Sequence, residues 1–153
     1  MPLRDVLSPM AGLLKPGGWI QLMEGDFEPV KANGPAMREF LELGGWFFEV
    51  AGPGRDMGPR LANELSNNGL RNVEDTIVIA GIGAVLKSQD QSPGIIAGSI
   101  EGLCAAIPGS LINLRDMNHP FSLEKLETLE ERLRKELADQ GGYIRYRVTW
   151  GQK

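Results

Sequence analysis

The stretch LLKPGGWIQLMEGD, Leu13 to Asp26, packs a helix end, a tight turn and a strand into one short run. Lys15-Pro16-Gly17-Gly18 predicts a type II turn: proline presets φ at the second position, and glycine admits positive φ at the third. Trp19–Met23 follows as a short run apolar on both faces, the pattern of a strand in a sheet covered on both sides. The polar run EGDFEP then closes it, placing Glu24 and Asp26 at the carboxyl end of the strand.

Working outward, residues 3–14 read as a short helix interrupted by Pro9 and Gly12. Pro35 opens a second helix at its first position. Phe40, Trp46, Phe47 and Phe48 make that helix aromatic almost all round, while Gly44-Gly45 weakens it. Arg60–Asn68 predicts a helix closed by Asn68-Gly69. Thr76–Ile82 (TIVIAGI) predicts a second buried strand, and Ser88–Gly94 a polar loop. Ile95–Ile107 carries Ile96, Ile100, Leu103, Cys104 and Ile107 on one helical face. Ser122 predicts the N-cap of one long helix over Leu123–Gln140, supported by Glu130/Arg134 and Glu131/Lys135. In the closing strand, Tyr143–Trp150, Ile144, Tyr146, Val148 and Trp150 alternate with Arg145, Arg147 and Thr149. Three strands separated by about five helices predict an α/β architecture.

Composition narrows the function classes. The 153 residues carry 16 basic and 20 acidic side chains, a formal charge of −4, which argues against a nucleic-acid surface. One cysteine and one histidine cannot build a structural zinc site or an internal disulfide, so no metal is expected. No apolar run reads as approaching the ~20 residues of a membrane span, and no signal-peptide pattern opens the chain. The expectation is a cytoplasmic protein that engages neither membrane nor nucleic acid.

The turn and strand of LLKPGGWIQLMEGD, the later LANELSNNGLRNVEDTIVIAGIGA and the ending LEERLRKELADQGGYIRYRVTWGQK together resemble class I S-adenosylmethionine-dependent methyltransferases. The likeness is to the fungal enzymes of secondary metabolism and covers nearly the whole chain. It implies a Rossmann-like sheet of order 3-2-1-4-5-7-6 with strand seven antiparallel. Trp19–Met23 would be strand five, Thr76–Ile82 strand six and Tyr143–Trp150 strand seven. The expectation is a single truncated domain over 1–153, with helical substrate-side insertions at 32–70 and 84–121. The family's glycine-rich cofactor loop and the acidic residue that takes the ribose belong to the N-terminal half. GPGRDMG (Gly52–Gly58) and AGIGA (Ala80–Ala84) are poor substitutes, the first lacking a preceding strand and the second a following helix.

The resemblance therefore implies no S-adenosylmethionine binding by this stretch alone, the cofactor entering only if a partner supplies the other half. Methyl transfer depends on holding donor and acceptor together, so catalysis alone is not expected. The half at hand implies recognition of a hydrophobic small molecule by Phe40, Trp46, Phe47, Phe48, Ile100 and Cys104, which read equally as core. Glu24, Asp26 and His119 are the candidate acid-base residues; all three read alternatively as solvated. Trp19–Met23, without a strand-four neighbour, would be an open edge inviting a homodimer or a methyltransferase-half partner. Two other functions stay open: a repurposed isomerase or cyclase using the remaining apolar pocket, and one half of a split methyltransferase.

Overall fold

A computed structural model describes residues 3–114 and 117–153. Arg115 and Asp116, inside the expected 84–121 insertion, lie outside the described residues. The elements run α1 (Leu3–Leu13), β1 (Trp19–Asp26), α2 (Pro35–Ala51), α3 (Met57–Asn67), β2 (Arg71–Ile82), a 3-10 helix (Gly83–Gln89), α4 (Pro93–Cys104), α5 (Ala106–Leu114), α6 (Leu123–Glu127), α7 (Leu129–Asp139) and β3 (Gly142–Gln152). The chain divides into two compact units. One comprises residues 1–28, 43–80 and 144–153; the other comprises 29–42 and 81–143.

The first unit contains an open antiparallel sheet of order β1-β3-β2, the last strand in the middle. The turn before β1 forms as predicted: Gly17 has φ +78, and the Gly18 N–H donates to the Lys15 carbonyl at 2.8 Å. Trp19 pairs with Gln152 and Asp26 with Arg145, so β1 extends through both predicted carboxylates. Ile20, Leu22, Glu24 and Asp26 share a face with Thr149, Arg147 and Arg145 across the ladder. Ile20 and Leu22 pack on a core of Leu7, Ala11, Leu61, Leu65 and Leu70 from α1, α3 and the following turn.

Two burial expectations fail here. Trp19 and Met23, on the opposite face of β1, are 54% and 61% exposed, so within this unit the strand is covered on one side. Ile77, Val78 and Ile79 of β2 are likewise exposed. Continuous apolar runs reveal a strand that needs cover on both faces, but not whether these residues supply it.

Helix boundaries also shift for local reasons. Pro9 sits inside α1 without ending it. Helix α2 runs through Gly44 and Gly45, where added β-carbons would meet the Phe27 ring at 3.0 Å and the Arg55 guanidinium at 2.9 Å. Those glycines are contact points. Helix α3 closes as expected: the Leu70 N–H reaches the Leu65 carbonyl, and Gly69 takes φ +80.

The second unit packs α4, α7 and the 3-10 helix together. The expected polar loop at 88–94 is in part that 3-10 helix. The helix predicted over Ile95–Ile107 is two, separated at Ala105; Pro108 cannot donate to the Cys104 carbonyl, which favours the break. Leu123–Gln140 is also two helices, broken at Thr128. There the Thr128 hydroxyl donates to the Lys125 carbonyl at 3.2 Å, and Arg132 Nη2 donates to the same carbonyl at 2.7 Å. Ser122 makes no side-chain cap, although its carbonyl accepts from the Leu126 N–H. Leu126, Leu129, Leu133 and Leu137 are buried as their spacing predicts.

One compositional expectation is corrected. Pro93–Leu114, 22 residues, is long and apolar enough by length and composition to cross a membrane. Its glycines and serines hide this from a search for unbroken apolar runs.

A buried carboxylate organises the start of α2. Glu136 of α7, 8% exposed, accepts from the N–H groups of Ala36 at 2.9 Å and Met37 at 2.8 Å. These are donors that a helix's first turn leaves unpaired, and the positive end of the helix favours the negative charge.

Candidate functional site

The sheet face that carries Glu24 opens into a cavity of about 450 Å3 in the first unit. Val6, Leu7 and Met10 of α1 form one wall, and Met57 and Leu61 of α3 another. Leu22 and Glu24 of β1 supply the floor, and Ala51-Gly52-Pro53, at the end of α2, the rim. The volume is that of a small-molecule site, apolar walls around few polar groups. Local sequence explains the walls: Val6, Leu7 and Met10 recur at helical spacing along α1, and Leu61 follows Met57 by one turn of α3.

Among the described residues, Glu24 is the one ionisable residue in this lining. Its carboxylate makes no hydrogen bond or ion pair with a described residue, and burial raises its pKa above the ordinary 4.5. Arg147 stands opposite it in register but is turned to Asp75 and, at 3.8 Å, to Asp26.

Asp26 is engaged quite differently. It is 4% exposed; Oδ1 accepts from the Glu28 N–H at 3.0 Å, and Oδ2 faces Arg145 Nη2 at 3.1 Å. Both oxygens are thus occupied, and the carboxylate fastens β1 to β3. His119 belongs to the second unit, where its Nδ1 accepts from the Phe121 N–H at 3.2 Å.

The six residues expected to bind substrate are dispersed, and none lines this cavity. Phe48 packs on Phe27 with ring centroids 5.0 Å apart, and Trp46 meets Phe47 edge-on at 5.4 Å. Phe40, Ile100 and Cys104 belong to the second unit. Cys104 is fully buried, and burial pushes its thiol pKa up, the opposite of an activated nucleophile. The cavity walls are not legible in the sequence because α3 is distant in the chain from β1, and nothing local says which face of the neighbouring α1 meets the strand. The one local signal was the methionine and leucine spacing on each helix.

A three-stranded antiparallel sheet flanked by helices defines an α/β fold. No family model matches the sequence. Curated relatives do. The chain is 33% identical over 148 residues to the methyltransferase psoC of Aspergillus fumigatus, spanning 97% of this chain and 52% of that protein. It is 27% identical to the N-methyltransferase tcpN of Claviceps purpurea, spanning 94% of this chain and 51% of that protein. It is also 27% identical to the N-methyltransferase sirN of Leptosphaeria maculans, spanning 97% and 52%. The chain is similar along nearly its whole length to these fungal methyltransferases. It spans about half the length of the curated relatives it matches.

Proposed function

We propose that these residues form the acceptor-binding half of a methyltransferase-like protein of secondary metabolism. The S-adenosylmethionine-binding half would come from polypeptide outside this stretch, in the same protein or in a partner. The observation that carries the reading is the apolar cavity against β1, in a chain that matches half of each relative. The order β1-β3-β2, with β3 antiparallel to β1, supports equivalence to strands 5-7-6. In this role the cavity holds and orients a hydrophobic acceptor, and the donor supplies the methyl group when bound beside it.

On this reading β1 is the seam. It ends the sheet, contains no lysine or proline, and presents exposed Trp19 and Met23. Such an edge takes up another strand readily. The complementary half would cover it, or failing that a second copy of this chain. Light scattering on the 153-residue chain, alone and mixed with the N-terminal half of a fungal relative, tests the seam. A one-to-one complex, or a homodimer when alone, is expected. A monomer that ignores the added half would count against the proposal.

A second reading draws on Glu24, an unpaired carboxylate of raised pKa in an apolar cavity. Such a group suits proton transfer in an isomerase- or cyclase-type rearrangement. Loss of turnover in Glu24→Gln, without added cofactor, would favour it over methyl transfer.

A further inference from the structure

We infer that the β1 cavity selects ligands by charge, taking an apolar molecule with a cationic amine in preference to its neutral or anionic counterpart. The inference rests on the cavity being a binding site, as proposed above, and adds the class of molecule it takes.

Three observations converge on it. Glu24 brings a carboxylate to an otherwise apolar wall and pairs it with none of the described residues. The rim at Ala51-Gly52-Pro53 lies at the carboxyl end of α2, a helix of 17 residues with no basic residue in its last turn. The negative end of that helix dipole lies at the rim, where the Phe48 carbonyl accepts from the Gly54 N–H at 3.0 Å and the Pro53 carbonyl accepts from Arg60. Among the described residues, no lysine, arginine or histidine lines the cavity. Arg147 is held by Asp26 and Asp75, and Arg60 by Asp56 at 3.2 Å and by the Pro53 carbonyl.

A carboxylate in apolar surroundings that lacks a counter-ion is costly to keep charged. An ammonium group supplies the missing partner through charge-assisted hydrogen bonds, while its hydrocarbon body fills the space between α1 and α3. A carboxylate ligand would meet like charge from Glu24 and from the helix end together. A neutral alcohol can donate one hydrogen bond to the carboxylate but brings no countercharge.

The test is a titration of the full 153-residue chain with three probes of one shape: tryptamine, its alcohol analogue tryptophol, and indole-3-propionate. Carbon-13 labelling of the methionine methyls gives a local readout, because Met10 and Met57 line the cavity and Met37 does not. Tryptamine is expected to shift the Met10 and Met57 signals and to bind about tenfold more tightly than tryptophol, equivalent to about 1.4 kcal/mol. Indole-3-propionate is expected to bind most weakly. Glu24→Gln, nearly isosteric, is expected to bring the amine-to-alcohol ratio close to one by weakening tryptamine far more than tryptophol. Met10→Trp, which fills the cavity from α1, is expected to block all three.

Equal affinity for amine and alcohol in the unaltered chain, or an amine preference that survives Glu24→Gln, would overturn charge selection and leave the cavity reading standing. Failure of all three probes to shift Met10 and Met57 would overturn both.

Discussion

Replacing Gly34 by alanine tests the contact that anchors the start of α2. An alanine β-carbon there would overlap the Glu136 carboxyl carbon and lie 2.5 and 2.6 Å from its oxygens. The carboxylate has to move, and it is bonded to the amides of Ala36 and Met37 at 2.9 and 2.8 Å. Hydrogen bonds to a charged acceptor contribute about 1.5–3 kcal/mol each. Partial recovery in a shifted rotamer leaves an expected loss of about 3 kcal/mol for Gly34→Ala. Glu136→Ala removes the same two bonds and is expected to cost a similar amount. Both changes act through one carboxylate, so the double variant should cost about 3–4 kcal/mol, well short of their sum. Urea unfolding followed by far-ultraviolet circular dichroism gives all three values. Additive costs, or a Gly34→Ala variant within ~0.5 kcal/mol of the parent, would refute the reasoning, since changes away from such features usually stay in that range.

Other predictions use the same unfolding assay. Asp26→Asn leaves Arg145 and Arg147 facing a neutral group in a buried site and is expected to cost about 3 kcal/mol, the low end for a broken buried pair. Thr149 is fully buried, and its hydroxyl has no partner among the described residues. Thr149→Val keeps the shape and is expected to gain about 1 kcal/mol, because the unpaired group no longer pays for desolvation. Glu24→Gln carries a signed pH dependence. Burial raises its folded pKa above 4.5, so this carboxyl favours the fold when protonated, and that contribution is lost as pH rises through the folded value. Glu24→Gln is therefore expected to be more stable than the parent at neutral pH, the difference closing below about pH 4, where the acid is protonated in both states. A variant less stable than the parent at neutral pH would contradict that sign.

The turn and the start of β1 are legible because their chemistry is local, whereas β2 begins at Arg71, ahead of the predicted Thr76. Pro16 and Gly17 can do little else but turn, and Trp19 opens β1 where the apolar run begins. The buried stripe of Leu126, Leu129, Leu133 and Leu137 was readable for the same reason, although the break at Thr128 was not. That break depends on Arg132 reaching back to the Lys125 carbonyl, a tertiary choice of rotamer. Burial of the strands was misjudged, since Ile77–Ile79 and Trp19 look the same whether or not their cover lies within these residues. Glu24 and Asp26 stand two positions apart on one face of β1, yet one faces a cavity and the other is locked between arginines. Nothing in the spacing distinguishes them; the difference comes from the arginines of β3 and from how α1 and α3 pack on the strand.

The measurement that bears most directly on the account is a calorimetric titration of S-adenosylmethionine into the 153-residue chain, alone and with an equimolar N-terminal half of a fungal relative. The account predicts no saturable heat from the chain alone, and a saturable isotherm for the mixture that exceeds the isotherm of the N-terminal half by itself. Saturable one-to-one binding by the chain alone would contradict it.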